Sequence, residues 1–185
     1  MGKVYERIDG RLREFIEAQR VFFVATAPSG DDGHVNVSPK GLNGTFTVVD
    51  EHTFAYLDLT ASGAETIAHL RENGRITVMF CAFEGPPNVV RLHGTGRFVT
   101  MYDDEFAELA GMFDEHQSAR AVVIVDVHRI SDSCGYGVPF MEYAGERDLL
   151  PRSMERRGVE GQATYRRKKN RTSLDGLPAF DYDPA

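Results

Sequence analysis

The constraint that most limits this chain is the spacing of its short β-rich segments. "VFFVATA" (21–27), "HVNVS" (34–38), "TFTVVD" (45–50), "TFAYLD" (53–58), "RITVMFCAF" (75–83), "NVVRLHGTGRFV" (88–99) and "RAVVIVDVHRI" (120–130) are rich in β-branched and aromatic residues. Between them lie turn residues: "PSGDDG", the Glu51-His52 pair and a Gly-Pro-Pro step. Strands at hairpin distance pair antiparallel, whereas a doubly wound sheet needs a helix between successive strands. The expected fold is therefore mainly β with some helix (α+β): an antiparallel barrel of six or seven strands with peripheral helices. "RAVVIVDVHRI", mostly apolar, is the expected central strand.

Three segments change period from two to 3.6. In "IDGRLREFIEAQ" (8–19), Leu12, Phe15 and Ile16 share a face and Asp9 is placed to cap it. In "SGAETIAHLRENG" (62–74), Ala64, Ile67, Ala68 and Leu70 share a face. Ser62 is expected at its cap and Gly74 at its C-terminal stop. "DDEFAELAGMF" (103–113) is a short acidic helix. The chain reads as one domain: a barrel over 1–133 and a glycine-rich, then basic, extension over 134–185 packed on it. Residues 152–171 hold eight Lys and Arg against two Glu. That stretch is expected to be helical, weakened by Gly158 and Gly161. It is either a solvated face or an anion-binding surface.

Several function classes lose support at this point. The net charge of −7 argues against nucleic acid as the main partner. Charged residues fill the N-terminus, and no apolar run approaches the ~20 residues of a membrane helix. With only two cysteines, Cys81 and Cys134, and no disulfide pattern, a cytoplasmic setting is expected. None of the six histidines pairs with another histidine or a cysteine at metal-ligand spacing, so no metal is expected. Nucleophile-elbow, phosphate-loop and dinucleotide-fold glycine patterns are lacking.

Two stretches remain that suit an anion. "SPKG" (38–41) is expected to end a strand and sets Lys40 beside a serine hydroxyl. "TASGAET" (60–66) runs from a strand into a helix N-terminus, where backbone N–H groups and the Thr60 and Ser62 hydroxyls are available. A hairpin across "TFTVVD" would bring the two together.

The ordered blocks "FFVATA", "VNVSPKG", "FAYLD", "SGAETIAHLRENGRITVMFCAF" and "RLHGTGRF" resemble the pyridoxamine 5′-phosphate oxidase-like superfamily of FMN-binding split β-barrels. The tail "CGYGVPF…KKNRTSLDGLPAF" is similar to a bacterial branch distinct from the true oxidases. The resemblance implies a homodimer with FMN at its interface. Backbone of Val37, Ser38 and Lys40 would edge the flavin ring, and Lys40, Ser62 and Gly63 would face its phosphate. Arg91 would reach the ring or ribityl chain, and Tyr136 would close the site. It implies an oxidoreductase moving a hydride between a small organic substrate, or a nicotinamide cofactor, and the flavin. A non-catalytic flavin carrier or sensor, or the same fold around a deazaflavin or haem, is the alternative. Two departures stand out. The two basic residues that follow the serine in the true oxidases are missing, leaving Glu65 near the phosphate and Lys40, Arg71, Arg75 or Arg91 to supply charge. The C-terminal substrate-phosphate block is missing too, which argues against pyridoxamine phosphate as substrate.

Overall fold

A computed structural model describes residues 2–181; residues 182–185, the end of the expected extension, lie outside the described residues. Among the described residues the strands are β1 (Val4–Tyr5), β2 (Val21–Thr26), β3 (Asn36–Gly41), β4 (Phe46–Val48), β5 (Thr53–Leu59), β6 (Arg75–Cys81), β7 (Val89–Thr100) and β8 (Ala119–Ser133). The helices are α1 (Gly10–Glu17), α2 (Glu65–Glu72), α3 (Phe106–Ala110) and α4 (Leu149–Lys169). One antiparallel sheet runs β3-β2-β6-β7-β8-β5-β4, and the short β1 adds to β8. The sheet curls on itself, so the fold is the split barrel with peripheral helices that the strand spacing implied.

Period-two alternation fills the barrel. β2 buries Phe22, Val24 and Thr26 and leaves Val21, Phe23 and Ala25 half-buried on the outer face. Phe22 is the hub of the interior. Its ring lies 5.0 Å from Phe46, 5.7 Å from Phe54, 5.4 Å from Tyr56 and 5.7 Å from Phe80, in tilted, edge-on and stacked arrangements. These contacts join β2, β4, β5 and β6 and bridge the two ends of the sheet. α1 covers the barrel with Leu12 and Ile16, and Asp9 caps it by accepting from the Leu12 N–H at 2.8 Å.

Two expectations change. "SPKG" does not end the strand: β3 continues through Pro39 and Lys40, paired with Phe23 and Phe22. β3 is the first strand of the sheet, and an edge strand tolerates a residue with no N–H to donate. Ser62 does not cap α2. The helix starts at Glu65, its N-cap is Ala64, and no side chain bonds the first turn. Gly74 does end that helix, with φ +70°. The basic stretch is helical, and Gly158, with φ +61°, breaks α4 in two.

β8 carries two bulges. Opposite β7 the register slips at His93/Gly94, leaving His128 as the extra residue. Opposite β5 it slips at Asp58/Leu59, leaving Arg120. At the first bulge the strands come so close that a Cβ on Gly94 would lie 2.3 Å from the Asp126 carbonyl oxygen. Backbone cannot step aside as a flexible side chain can. Gly94→Ala is expected to cost about 2 kcal/mol or more, read as a lower urea midpoint with an unchanged slope.

Candidate functional site

The open end of the barrel is polar where its interior is aromatic. Alternation places Asn36, Ser38 and Lys40 of β3 opposite Thr26, Val24 and Phe22, on the inner face. Asp58 falls on the inner face of β5 with Phe54 and Tyr56, and is 1% exposed. The second bulge turns Arg120, 3% exposed, toward it. Asp58 accepts from Arg120 Nε through Oδ2 at 2.7 Å and from Lys40 Nζ through Oδ1 at 2.7 Å. β3 and β5 are not neighbours in the sheet, so this charged triad spans the barrel's seam. Burial by itself would raise the Asp58 pKa. The Arg120 and Lys40 charges more than offset that and hold it at about 2, below the ordinary 3.8. Burial, with the Asp58 charge adding to it, pushes the Tyr56 phenol well above its usual range, so Tyr56 stays neutral.

The triad leads into the turn before α2. Arg120 donates to the Gly63 carbonyl at 2.8 Å and the Ala61 carbonyl at 3.4 Å. Asn170, after α4, donates to the Ala61 carbonyl at 2.8 Å and the Ser62 carbonyl at 3.5 Å. Arg166 of α4, 4% exposed, reaches the Thr60 hydroxyl at 3.5 Å and the Gln162 side-chain oxygen at 3.4 Å. No described residue accepts the Ser62 or Gly63 N–H. Among the described residues four buried side-chain polar atoms lack a hydrogen-bond partner: Tyr56 Oη, Arg166 Nε and Asn170 Oδ1, on residues around this turn, and His69 Nε2 behind α2. Orphaned buried polar atoms are rare in folded proteins and mark places built for a polar ligand or water. Glu65 folds back on the turn: a Cβ on Gly63 would lie 2.6 Å from its Oε2. Behind α2, His69 is fully buried with Nδ1 2.9 Å from the Thr26 hydroxyl, and burial lowers its pKa.

The two anion-suited stretches therefore lie close together, joined through the residues beside them, Asn36 before the first and Asp58 before the second. Asn36 donates to the Thr66 hydroxyl at 3.2 Å, and Ser38 to the Asn36 side-chain oxygen at 3.0 Å. Val37 points outward and is 62% exposed. Arg91 lies on that outer face in the cross-strand row Pro39, Phe23, Met79, Arg91, about 15 Å from the edge strand by strand spacing. It donates to the Ser133 hydroxyl at 3.0 Å. Tyr136 stands apart, 83% exposed on the turn that starts at Gly135. Arg71 lies over the Phe98 ring, and Arg75 bonds Asn73 and the Pro28 carbonyl, so neither serves this turn. The charge there comes from Lys40, Arg120 and Arg166, of which sequence reasoning singled out only Lys40. Asp58 had a signal: an acid on the apolar face of an alternating strand. Arg120 had none, because only the bulge turns it inward.

A cleft of about 1090 Å³ opens beside the turn, on the outer face of the same strands. Val21, Phe23, Pro39 and Leu57 form its floor, and Met141 and Leu150 face them from the chain beyond β8. It reaches Lys40 and Ala61 at its inner end. Tyr143 holds its rim, donating to Glu146 at 2.7 Å with the Arg20 guanidinium 5.0 Å from its ring.

Residues 8–134 match the sequence model of the pyridoxamine 5′-phosphate oxidase family. The chain is 38% identical over 192 aligned positions to the pyridoxamine 5′-phosphate oxidase family protein ustO of Aspergillus flavus, covering 95% of this chain and 77% of that one. The crystal structure of HupZ from Group A Streptococcus is similar with a TM-score of 0.52 and 26% identity, over 66% of this chain and 91% of that one. A candidate pyridoxamine 5′-phosphate oxidase from Lactobacillus delbrueckii shares the fold at a TM-score of 0.51 and 16% identity, over 68% of this chain and 94% of that one.

The triad makes two tests. Asp58→Asn leaves Lys40 and Arg120 without their shared carboxylate and is expected to destabilise the fold by about 3–5 kcal/mol, measured by denaturant unfolding. Because the folded pKa of Asp58 lies below its unfolded value, its contribution is complete above about pH 4 and is lost as pH falls toward about 2. The wild type should lose about 2 kcal/mol across that window beyond what Asp58→Asn loses.

Proposed function

The chain belongs to the pyridoxamine 5′-phosphate oxidase family, and on that premise we propose that it is an FMN-binding oxidoreductase. It would act in the cytoplasm as a homodimer, transferring a hydride between a small organic substrate, or a nicotinamide cofactor, and the bound flavin. The observation that carries this reading is that β3 bonds both flanks of the Thr60–Gly63 turn, Asp58 and Thr66, where buried cations exceed buried carboxylates and polar atoms lie orphaned.

The residues present fit the group. Ser62 and Gly63 offer N–H donors without an acceptor among the described residues, and Ser62 is exposed. Lys40 spends one of its three N–H bonds on Asp58, leaving two for a phosphate oxygen. The backbone of Val37, Ser38 and Lys40 would edge the ring, with Lys40 at the cleft. Bound FMN supplies the hydride chemistry itself. The protein binds, orients and dries the site: Phe23, Pro39 and Leu57 give an apolar floor. A backbone N–H or Lys40 beside the ring would stabilise the negative charge that reduction develops. Arg91, on the same outer face, would reach ring or ribityl. Tyr136, remote from this copy's turn, would close the site of the other copy.

Exposed Val35 (71%) and Val37 (62%) at the β3 edge, and Tyr136 and Phe140 beyond β8, support apolar surface that a second copy covers. Pyridoxamine phosphate itself is not the proposed substrate, since the C-terminal block that grips it in the true oxidases is missing.

The purified protein is expected to be yellow, to release FMN on denaturation, and to have its flavin reduced rapidly by a nicotinamide cofactor or a candidate substrate. A colourless preparation that takes up no flavin from excess would sink the reading. A tightly held flavin inert to every donor would leave a carrier rather than an enzyme. Lys40→Ala should weaken FMN binding about tenfold or more, followed by flavin fluorescence. Val37→Lys should shift the protein from dimer to monomer in light scattering.

A further inference from the structure

Arg166 has no role in the fold that repays its burial. It is 4% exposed, and no carboxylate of the described residues pairs with it. Its two bonds are long, to Thr60 Oγ1 at 3.5 Å and Gln162 Oε1 at 3.4 Å, and its Nε has no partner. Removing a guanidinium from water is costly unless an anion answers it. Arg120, buried just as deeply, has Asp58 at 2.7 Å. Around the Thr60–Gly63 turn the cations are Lys40, Arg120 and Arg166, and the carboxylates are Asp58 and, folded against Gly63, Glu65. An excess of positive charge remains, and its unpaired member is Arg166.

We propose that Arg166, carried onto the Thr60–Gly63 turn by α4, is the counter-cation for a ligand phosphate held at that turn. The proposal rests on the flavin reading for the identity of that phosphate, which would belong to FMN. It gives the C-terminal helix a binding duty. Charge that this chain lacks after Ser62 arrives from a residue about a hundred positions later, through packing rather than through the local motif. The guanidinium suits a phosphate because it offers parallel N–H donors and stays protonated when buried. Asn170, one turn further on and gripping the Ala61 and Ser62 carbonyls, holds the turn in register with it.

The proposal has a sign that a structural role would not share. A cation kept for a ligand burdens the ligand-free protein, so removing it should stabilise that form. The experiment compares wild type, Arg166→Met and Arg166→Lys as full chains, by thermal melting without ligand and by titration with FMN and with riboflavin, which lacks the phosphate. Arg166→Met is expected to melt at or above wild type when ligand-free and to bind FMN about 30-fold more weakly. Its riboflavin affinity should stay within about threefold, and Arg166→Lys should fall between, keeping the charge without the fork. Arg166→Met that fails to fold, melts lower, or weakens FMN and riboflavin alike would make Arg166 a structural staple and overturn the proposal; unchanged FMN affinity would overturn it too. If wild type binds neither flavin, the flavin reading fails separately. Inorganic phosphate then decides: a rise in melting temperature for wild type but not for Arg166→Met upholds the anion site, and no difference between them removes it.

Discussion

One buried carboxylate organises the functional end of this molecule. Asp58 sits between Arg120 and Lys40 and ties the paired strands β5 and β8 to β3, which neither of them meets in the sheet. The pairing does not have to add net stability to matter. Two charges brought out of water roughly cancel their own desolvation, and an apolar trio could fill the same space. An apolar trio could not aim donors. Arg120 uses Nε on Asp58 and turns its remaining nitrogens to the Ala61 and Gly63 carbonyls. The position of the turn before α2 is thereby set by a salt bridge made on a strand.

That arrangement needs a rigid frame, and the aromatic interior provides one. Phe22, Phe46, Phe54, Tyr56 and Phe80 meet across the barrel at ring separations of 5.0–6.3 Å, so the two ends of the sheet are held by packing. The polar residues begin where the rings stop. Tyr56 marks the boundary: its ring is in the core, and its hydroxyl, without a partner, faces the charged triad. An irregularity of the sheet falls at the same place. The β8 bulge that frees Arg120 lies opposite the end of β5, and bulges commonly re-aim side chains beside functional sites.

Much of this was legible in the sequence because the fold is built from local signals. Hairpin-length turns between β-rich runs gave the antiparallel order, and Asp9 and Gly74 marked helix ends that hold in the structure. "SPKG" and "TASGAET" do come near one another, but not by the expected hairpin pairing: β3 and β5 are not neighbours, and side chains cross the seam, Lys40 to Asp58 and Asn36 to Thr66. Readings failed where tertiary context overruled a local rule. Pro39 looked like the end of a strand and is a paired residue on an edge, because edge position was not visible in the letters. Ser62 looked like a cap and is not, because the turn is fixed by Arg120 and Asn170 rather than by its own hydroxyl. Arg120 and Arg166 were invisible for one reason: each is turned inward by a bulge or a helix docking event that has no sequence period.

The C-terminal extension is part of the site's frame rather than a solvated arm. A basic run of this kind is most often a solvated surface, and several of its residues are exposed. Yet Ala179 and Phe180 belong to the hydrophobic core, Phe180 lies 4.8 Å from the Arg120 guanidinium, and Asn170 is fully buried against the α2 turn. Asp175 binds both the backbone and the ring of His34, 2.9 and 2.7 Å away, just before β3. The tail is thus fastened to both halves of the candidate site, the β3 side through His34 and the α2 side through Asn170. A segment packed only for stability would bury apolar side chains and leave its cations in water, as most of α4 does. Burying Arg166 and Asn170 with orphaned atoms at that one turn is hard to account for by folding alone, and it is what a site completed by its ligand would require.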